Sequence, residues 1–304
     1  MKQNEASLTS LLSAFGRAYH SLNDSPKLFD DYLAMDLISK EEFSEIRKNL
    51  IQAAHFFNKD LAQRFKDDPE KILKWITQVQ LSPTPLARMA YCEKVLLNEI
   101  KLGLKQYVIL GAGMDTFCFR HPDLQKSLEI FEIDLPATQE IKMKRLAAAK
   151  LEIPNHLHFV SIDFTKEFSD EELFKKGFTE QKTFFSLLGV SYYLTKNEIK
   201  KVIKNLFNRV PSGSSIVFDY GDETLFHEKG LYNRVVNMVK MAAASGEPMK
   251  SCFSYSEMES LLEEQGLLIY EHLSPAEIND QFFRDRTDHL TAFEAIHYIH
   301  AVKK

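Results

Sequence analysis

The chain opens with helical periodicity and changes grammar about a third of the way along. Leu8, Leu11, Leu12, Phe15 and Tyr19 recur at the spacing of one helical face, which predicts a helix over residues 5–21. Residues 26–38 and 41–66 keep the same period, with Pro26 suited to the first position of a helix. Asp67-Asp68-Pro69 punctuates this pattern, and residues 69–79 resume a short helix carrying Trp75. Ser82-Pro83-Thr84-Pro85 marks a second break before a helix over 86–102. Nothing in the first 85 residues reads as a strand, so residues 1–85 are expected to form a helical cap or lid. Residues 86–304 then form the main domain, and the two are expected to pack as one compact unit.

Beyond Gln106 short apolar runs alternate with helical segments. Strands are predicted at 107–110, 128–133, 157–161, 183–188, 214–220 and 267–271, with a last one inside 292–302. Helices are predicted at 136–150, 196–208, 231–244 and 256–265. Apolar runs of this kind suit strands covered on both faces. The expected fold class is therefore α/β, a doubly wound seven-stranded sheet with an N-terminal helical cap.

The first strand breaks at Gly111-Ala112-Gly113, where two glycines permit a tight turn and close approach of a ligand to the backbone. A second strand follows and ends in Glu132 and Asp134, an acid about 20 residues on, as in a nucleotide-binding half-sheet. A dinucleotide fingerprint would carry a third glycine, but Thr116 stands at that position with Asp115 just before it. An acid at a helix entrance repels a pyrophosphate and suits a cofactor bearing an amino group and a sulfonium. S-adenosyl-L-methionine has both, with ribose hydroxyls for Asp134 to accept from. A helix cap is the plainer role for Asp115, and the two roles are compatible.

Composition narrows the classes. A net charge of −5 with scattered Lys and Arg gives no basic patch for nucleic acid, and the 23 Phe and 11 Tyr read as core rather than a stacking surface. No apolar stretch approaches a membrane span, and the N-terminus lacks a signal-peptide pattern, so a cytoplasmic location is expected. Three dispersed cysteines make neither a disulfide framework nor a zinc site. His297 and His300 fall on opposite faces of the last strand, so no metal is expected there.

The runs YVILGAGMDTFCFR and FEIDLP resemble the leucine carboxyl methyltransferase family, which includes bacterial O-methyltransferases. The resemblance extends from about Leu86 through the fifth strand and more loosely into residues 26–38. It implies a class I methyltransferase fold using S-adenosyl-L-methionine, with helices closing over a small-molecule acceptor. It also implies that Gly111 and Gly113 face the methionine end of the cofactor and that Asp134 holds the ribose. Arg88 would hold the cofactor carboxylate, and Asp163 with Phe164 would hold the adenine. Where the family often has a cofactor-contacting glutamate before a glycine, this chain has Leu188 before Gly189. That departure favours a small-molecule acceptor over the carboxyl terminus of a phosphatase subunit.

A carboxylate acceptor needs no general base, whereas a phenol or alcohol benefits from one. Candidates for contact with the acceptor are Tyr192 and Tyr193 after the fourth strand, Asp219 and Tyr220 in the fifth, and His227 beyond it. Tyr19 and His20 are candidates from the cap. Two other readings stand beside the O-methyltransferase: a nicotinamide-dependent oxidoreductase on the same sheet, and a non-catalytic protein that binds S-adenosyl-L-methionine. Sequence leaves the oligomeric state open.

Overall fold

The computed structural model describes residues 7–166 and 170–304; residues 5 and 6 of the first expected helix lie outside them. Seven strands form one sheet: β1 (Gln106–Leu110), β2 (Glu129–Asp134), β3 (Leu157–Ser161), β4 (Thr183–Leu187), β5 (Ser215–Gly221), β6 (Leu267–Leu273) and β7 (Ile296–Lys303). Their order is β3-β2-β1-β4-β5-β7-β6. The first five pair in parallel and β7 runs antiparallel between β5 and β6. This is the doubly wound seven-stranded sheet expected of a class I methyltransferase. Its order reverses at β1/β4, the switch point outside which open α/β sheets bind ligands.

The helices are α1 (Leu8–Asn23), α2 (Lys40–Phe57), α3 (Lys59–Arg64), α4 (Pro69–Ile76), α5 (Pro83–Lys101), α6 (Phe117–Arg120) and α7 (Pro136–Ala148). They continue with α8 (Glu171–Lys175), α9 (Lys196–Phe207), α10 (Arg234–Ala244), α11 (Tyr255–Glu263) and α12 (Pro275–Phe282). Every residue of β1 is buried, and the strand feeds two cores. Tyr107 and Ile109 join the cluster under α5, while Val108 and Leu110 join the cluster under α9 and α11. Each such apolar side chain stabilises the fold by roughly 1.5–3 kcal/mol relative to an exposed one. A third core, built from Phe15, Leu50, Trp75 and Ile76 with Met114 and Leu146, lies between the N-terminal helices and the sheet domain.

Four N-terminal expectations are corrected. Residues 26–38 are mostly turns and bends, with only a 3₁₀ turn at Ala34–Leu37, and Pro26 starts no helix. Polar tertiary contacts override the helical period there. Asp31 is buried, taking Arg17 Nε at 2.7 Å and Thr116 Oγ1 at 2.6 Å, and Leu28 N donates to His20 Nε2. The expected helix at 41–66 divides at Asn58, whose extended backbone and side chain, accepting from Leu61 N, restart it as α3. The break expected at 82–85 is instead a bulge: α4 runs through a π turn at Thr77–Leu81 into α5 at Pro83. Proline is tolerated there because a first-turn residue needs no amide donor. Helix α12 was not expected, although Ser274 and Glu277 form the reciprocal capping box that announces it.

Candidate active site

A cavity of about 550 Å³ opens at the switch point, within the range of ligand pockets. Arg88, Gly111, Gly113, Asp115, Asp134, Asp163, Phe164 and Leu188 all line it, as do Tyr192 and Tyr193. Elements far apart in sequence therefore converge: the end of β1, the ends of β2 and β3, the turn after β4, and α5.

The glycine turn is built for its place. Gly111 has φ +69° and Gly113 φ +51°, and a Cβ at either would collide, with Val190 at 2.4 Å or with Ser10 at 2.4 Å. The amide of Gly113 donates to Asp134 Oδ2 at 2.7 Å, and the amide of Leu135 to Asp134 Oδ1 at 2.7 Å. Burial raises the pKa of Asp134, and these amides offset only part of that. Two amides leave a carboxylate with spare acceptor sites. Asp115 accepts from Phe117 N at 2.7 Å while lining the cavity, so it has both a local capping contact and access to a ligand. Burial pulls the Asp163 carboxyl upward, but hydrogen bonds from Thr165 and the Lys166 ammonium outweigh it and hold it below its usual value.

Arg88 comes from α5 and lies against Gly189, whose φ of +72° and missing side chain make room for it. A Cβ on Gly189 would stand 2.4–2.6 Å from the guanidinium. One Arg88 nitrogen pairs with Asp219 Oδ2 at 3.1 Å, while its Nε is buried without a partner. Burial alone would lower the Arg88 pKa; the Asp219 carboxylate, together with Tyr192 and Tyr298, more than reverses this. Asp219, fully buried in β5, also accepts from Gly189 N at 2.6 Å and from the hydroxyl of Tyr192. The Leu188 side chain contributes no polar atom, and the carboxylate facing Arg88 comes from the next strand, as Asp219. Burial, with the Asp219 charge beside it, drives the Tyr192 pKa well up, and burial pushes that of Tyr193 to about 12. Both phenols therefore hold their protons near neutrality.

The other candidates lie elsewhere. Tyr19 is packed in the cap core and His227 sits beyond β5; neither lines the cavity. His20 is tied to Asp24 and the Leu28 amide. Tyr220 packs in the core against Phe253 and His297.

Several lining residues carried no local signal in the sequence. Arg17 reaches from α1 to Met114 O at 2.7 Å, securing the cap beside the glycine turn. Glu247 takes Thr9 Oγ1 at 2.5 Å and Ser7 Oγ at 3.0 Å, which joins the start of α1 to the loop after α10 across the cavity. Gln80 and Thr84 project from the π bulge and the first turn of α5. Among the described residues no helix is long and apolar enough to cross a membrane.

Comparison with known proteins extends this geometry. A Bacillus subtilis (strain 168) protein whose provisional name is S-adenosyl-L-methionine-dependent methyltransferase YktD is 67% identical over the whole length of both chains. A Parafrankia sp. (strain EAN1pec) protein with the same kind of name is 26% identical over 53% of this chain and 49% of its own. Among solved structures, the magnesium protoporphyrin IX methyltransferase of Synechocystis PCC 6803 with bound SAH superposes with a TM-score of 0.45 at 13% identity. It covers 73% of this chain and 85% of its own. The family model for leucine carboxyl methyltransferase matches residues 10–207. The chain belongs to the leucine carboxyl methyltransferase family.

Proposed function

We propose that this chain transfers the methyl group of S-adenosyl-L-methionine to an oxygen, carboxylate or hydroxyl, of a small molecule. Family membership carries the coarser part, an S-adenosyl-L-methionine-dependent methyltransferase. The observation that supports the cofactor's place is the meeting of the glycine turn, Asp134, Asp163-Phe164 and Arg88 around one cavity.

The residues fit that cofactor chemically. Arg88 keeps an unpartnered buried Nε for a carboxylate, a group that a guanidinium binds with planar, directional hydrogen bonds. Asp134 has acceptor capacity for ribose hydroxyls. Asp163 is held in its ionised form, able to accept from an exocyclic amine, beside the largely buried ring of Phe164. Asp115 adds negative charge suited to an ammonium or sulfonium. A pyrophosphate would instead face Asp115, Asp134 and Asp163 together, which counts against the nicotinamide reading.

When bound, the cofactor supplies an electrophilic methyl group already activated on a sulfonium, so the chain's task is alignment and exclusion of water. The apolar wall and the bridge from Glu247 to Ser7 and Thr9 cover the site for that purpose. With their protons retained, Tyr192, which donates to Asp219, and Tyr193 do not act as bases. No histidine is among the lining residues described. Transfer of label from methyl-labelled cofactor onto a panel of small carboxylates and phenols tests this reading. Oxygen-methylated product is expected; turnover only with nitrogen or thiol acceptors would refute it.

A further inference from the structure

Two further buried polar atoms without partners belong to residues that line the cavity. They are Gln80 Oε1 and Thr84 Oγ1, on side chains more than nine-tenths buried. Interior acceptors of this kind are costly, and nearly all such groups in folded proteins find a partner. Two of them lining the same cavity mark a place where a ligand supplies the missing hydrogen bonds.

The orientation of Gln80 is fixed through its amide nitrogen. Its Nε2 donates to Arg234 O at 3.1 Å, so its oxygen is the end left over. Arg234, buried at the start of α10, returns a hydrogen bond to Val79 O at 3.3 Å and pairs through Nε with Glu294 at 2.9 Å. The π turn at Thr77–Leu81 carries Gln80 to this position, and such single-turn bulges recur at functional sites. Met238, Met241, Met89, Leu81 and Phe293 line the same cavity. Methionine walls adapt to apolar ligands of varied shape.

Resting on the methyltransferase reading, we propose that Gln80 determines acceptor specificity, its Oε1 accepting a hydrogen bond from the hydroxyl of a small apolar molecule. Thr84 supplies a second, adaptable contact, because a hydroxyl both donates and accepts. A carboxylate acceptor would set its lone pairs against the glutamine oxygen, so a hydroxyl-bearing ligand, a phenol or an alcohol, is the class selected.

The test is binding of paired probes: phenol, 4-ethylphenol, 1-naphthol and 4-phenylphenol, each against the analogue with methyl in place of hydroxyl. Binding to the wild type, to Gln80→Leu and to Thr84→Val is followed by ligand-observed NMR. The series is run with and without S-adenosylhomocysteine. The wild type is expected to prefer at least one phenol over its methyl analogue by roughly tenfold, the worth of one buried hydrogen bond. Gln80→Leu should reduce that preference to within about threefold while leaving S-adenosylhomocysteine affinity unchanged. If no phenol outbinds its analogue on the wild type, or if the preference survives in Gln80→Leu, the assignment is overturned. A wild type without the preference overturns the assignment whether or not the variants fold, and a preference is assigned to Gln80 only from Gln80→Leu protein that keeps wild-type S-adenosylhomocysteine affinity. Absence of S-adenosylhomocysteine binding would instead overturn the cofactor reading, and the wild-type probe pairs would still test the hydroxyl preference.

Discussion

Replacing Asp219 with asparagine isolates the electrostatic keystone of the site. Asp219 is fully buried and accepts three hydrogen bonds: from Gly189 N at 2.6 Å, from Arg88 at 3.1 Å and from the Tyr192 hydroxyl. Asparagine keeps the shape and one acceptor oxygen, but its amide nitrogen must turn toward donors and the Arg88 charge loses its counter-ion. Removing one member of a buried pair costs about 3–5 kcal/mol. The Arg88 side chain is 13% exposed, which allows some water to the guanidinium and favours the lower end, about 3 kcal/mol. An unfolding entropy of roughly 2.1 cal/mol/K per residue converts that loss to a fall of about 5 °C in Tm for a chain of this length. Urea denaturation and thermal melts followed by circular dichroism measure both quantities. Arg88→Met combined with Asp219→Asn should recover a large part of the loss, since no uncompensated charge remains. A single variant within about 0.5 kcal/mol of wild type, the usual effect of a surface substitution, would refute the pairing as an energetic unit, as would simple additivity in the double variant.

Gly189→Ala is expected to cost about 2 kcal/mol, from a left-handed alanine and a Cβ driven into the Arg88 guanidinium; an unchanged urea midpoint would show that Arg88 does not rest on this glycine. Glu132 tests the pH dependence. It is buried against Lys142, and desolvation outweighs the lysine and raises its pKa. A raised folded-state pKa means that its contribution to stability is full below the unfolded value and declines as pH rises through the folded one. Glu132→Gln should therefore flatten the fall in urea-derived stability on the alkaline side of about pH 4.3, whatever its effect on absolute stability; a slope identical to wild type would contradict the shift.

Much of the sheet was legible because its strands are covered on both faces and read as apolar runs. Tyr107–Leu110 and Thr183–Leu187 are buried throughout, so no alternation was needed to find them. The glycine turn was legible because a tight turn with positive φ demands glycine, and Asp134 because it ends the next strand beside that turn, where it accepts from Gly113 N. Residues 26–38 misled because their period was right while Asp31, inside the segment, bonds to Arg17 and Thr116 across the chain. The same reason hid Gln80 in the cavity wall. Gln80 owes its position to a π bulge and to Arg234, 154 residues away, and nothing near Gln80 in the chain announces either. Leu188 marked a gap in the family pattern, but only the pairing of β4 with β5 reveals that Asp219 fills the space behind it. Local chemistry leaves a trace in sequence, and partners supplied by distant strands and helices leave none.

The central claim is that this cavity binds S-adenosyl-L-methionine, and calorimetric titration of S-adenosylhomocysteine into wild type and Asp134→Ala tests it most directly. Saturable one-to-one binding to the wild type is expected, weakened roughly 10- to 100-fold in the variant by loss of hydrogen bonds to a charged acceptor. No binding to the folded wild type, or equal affinity in the two proteins, would contradict the account.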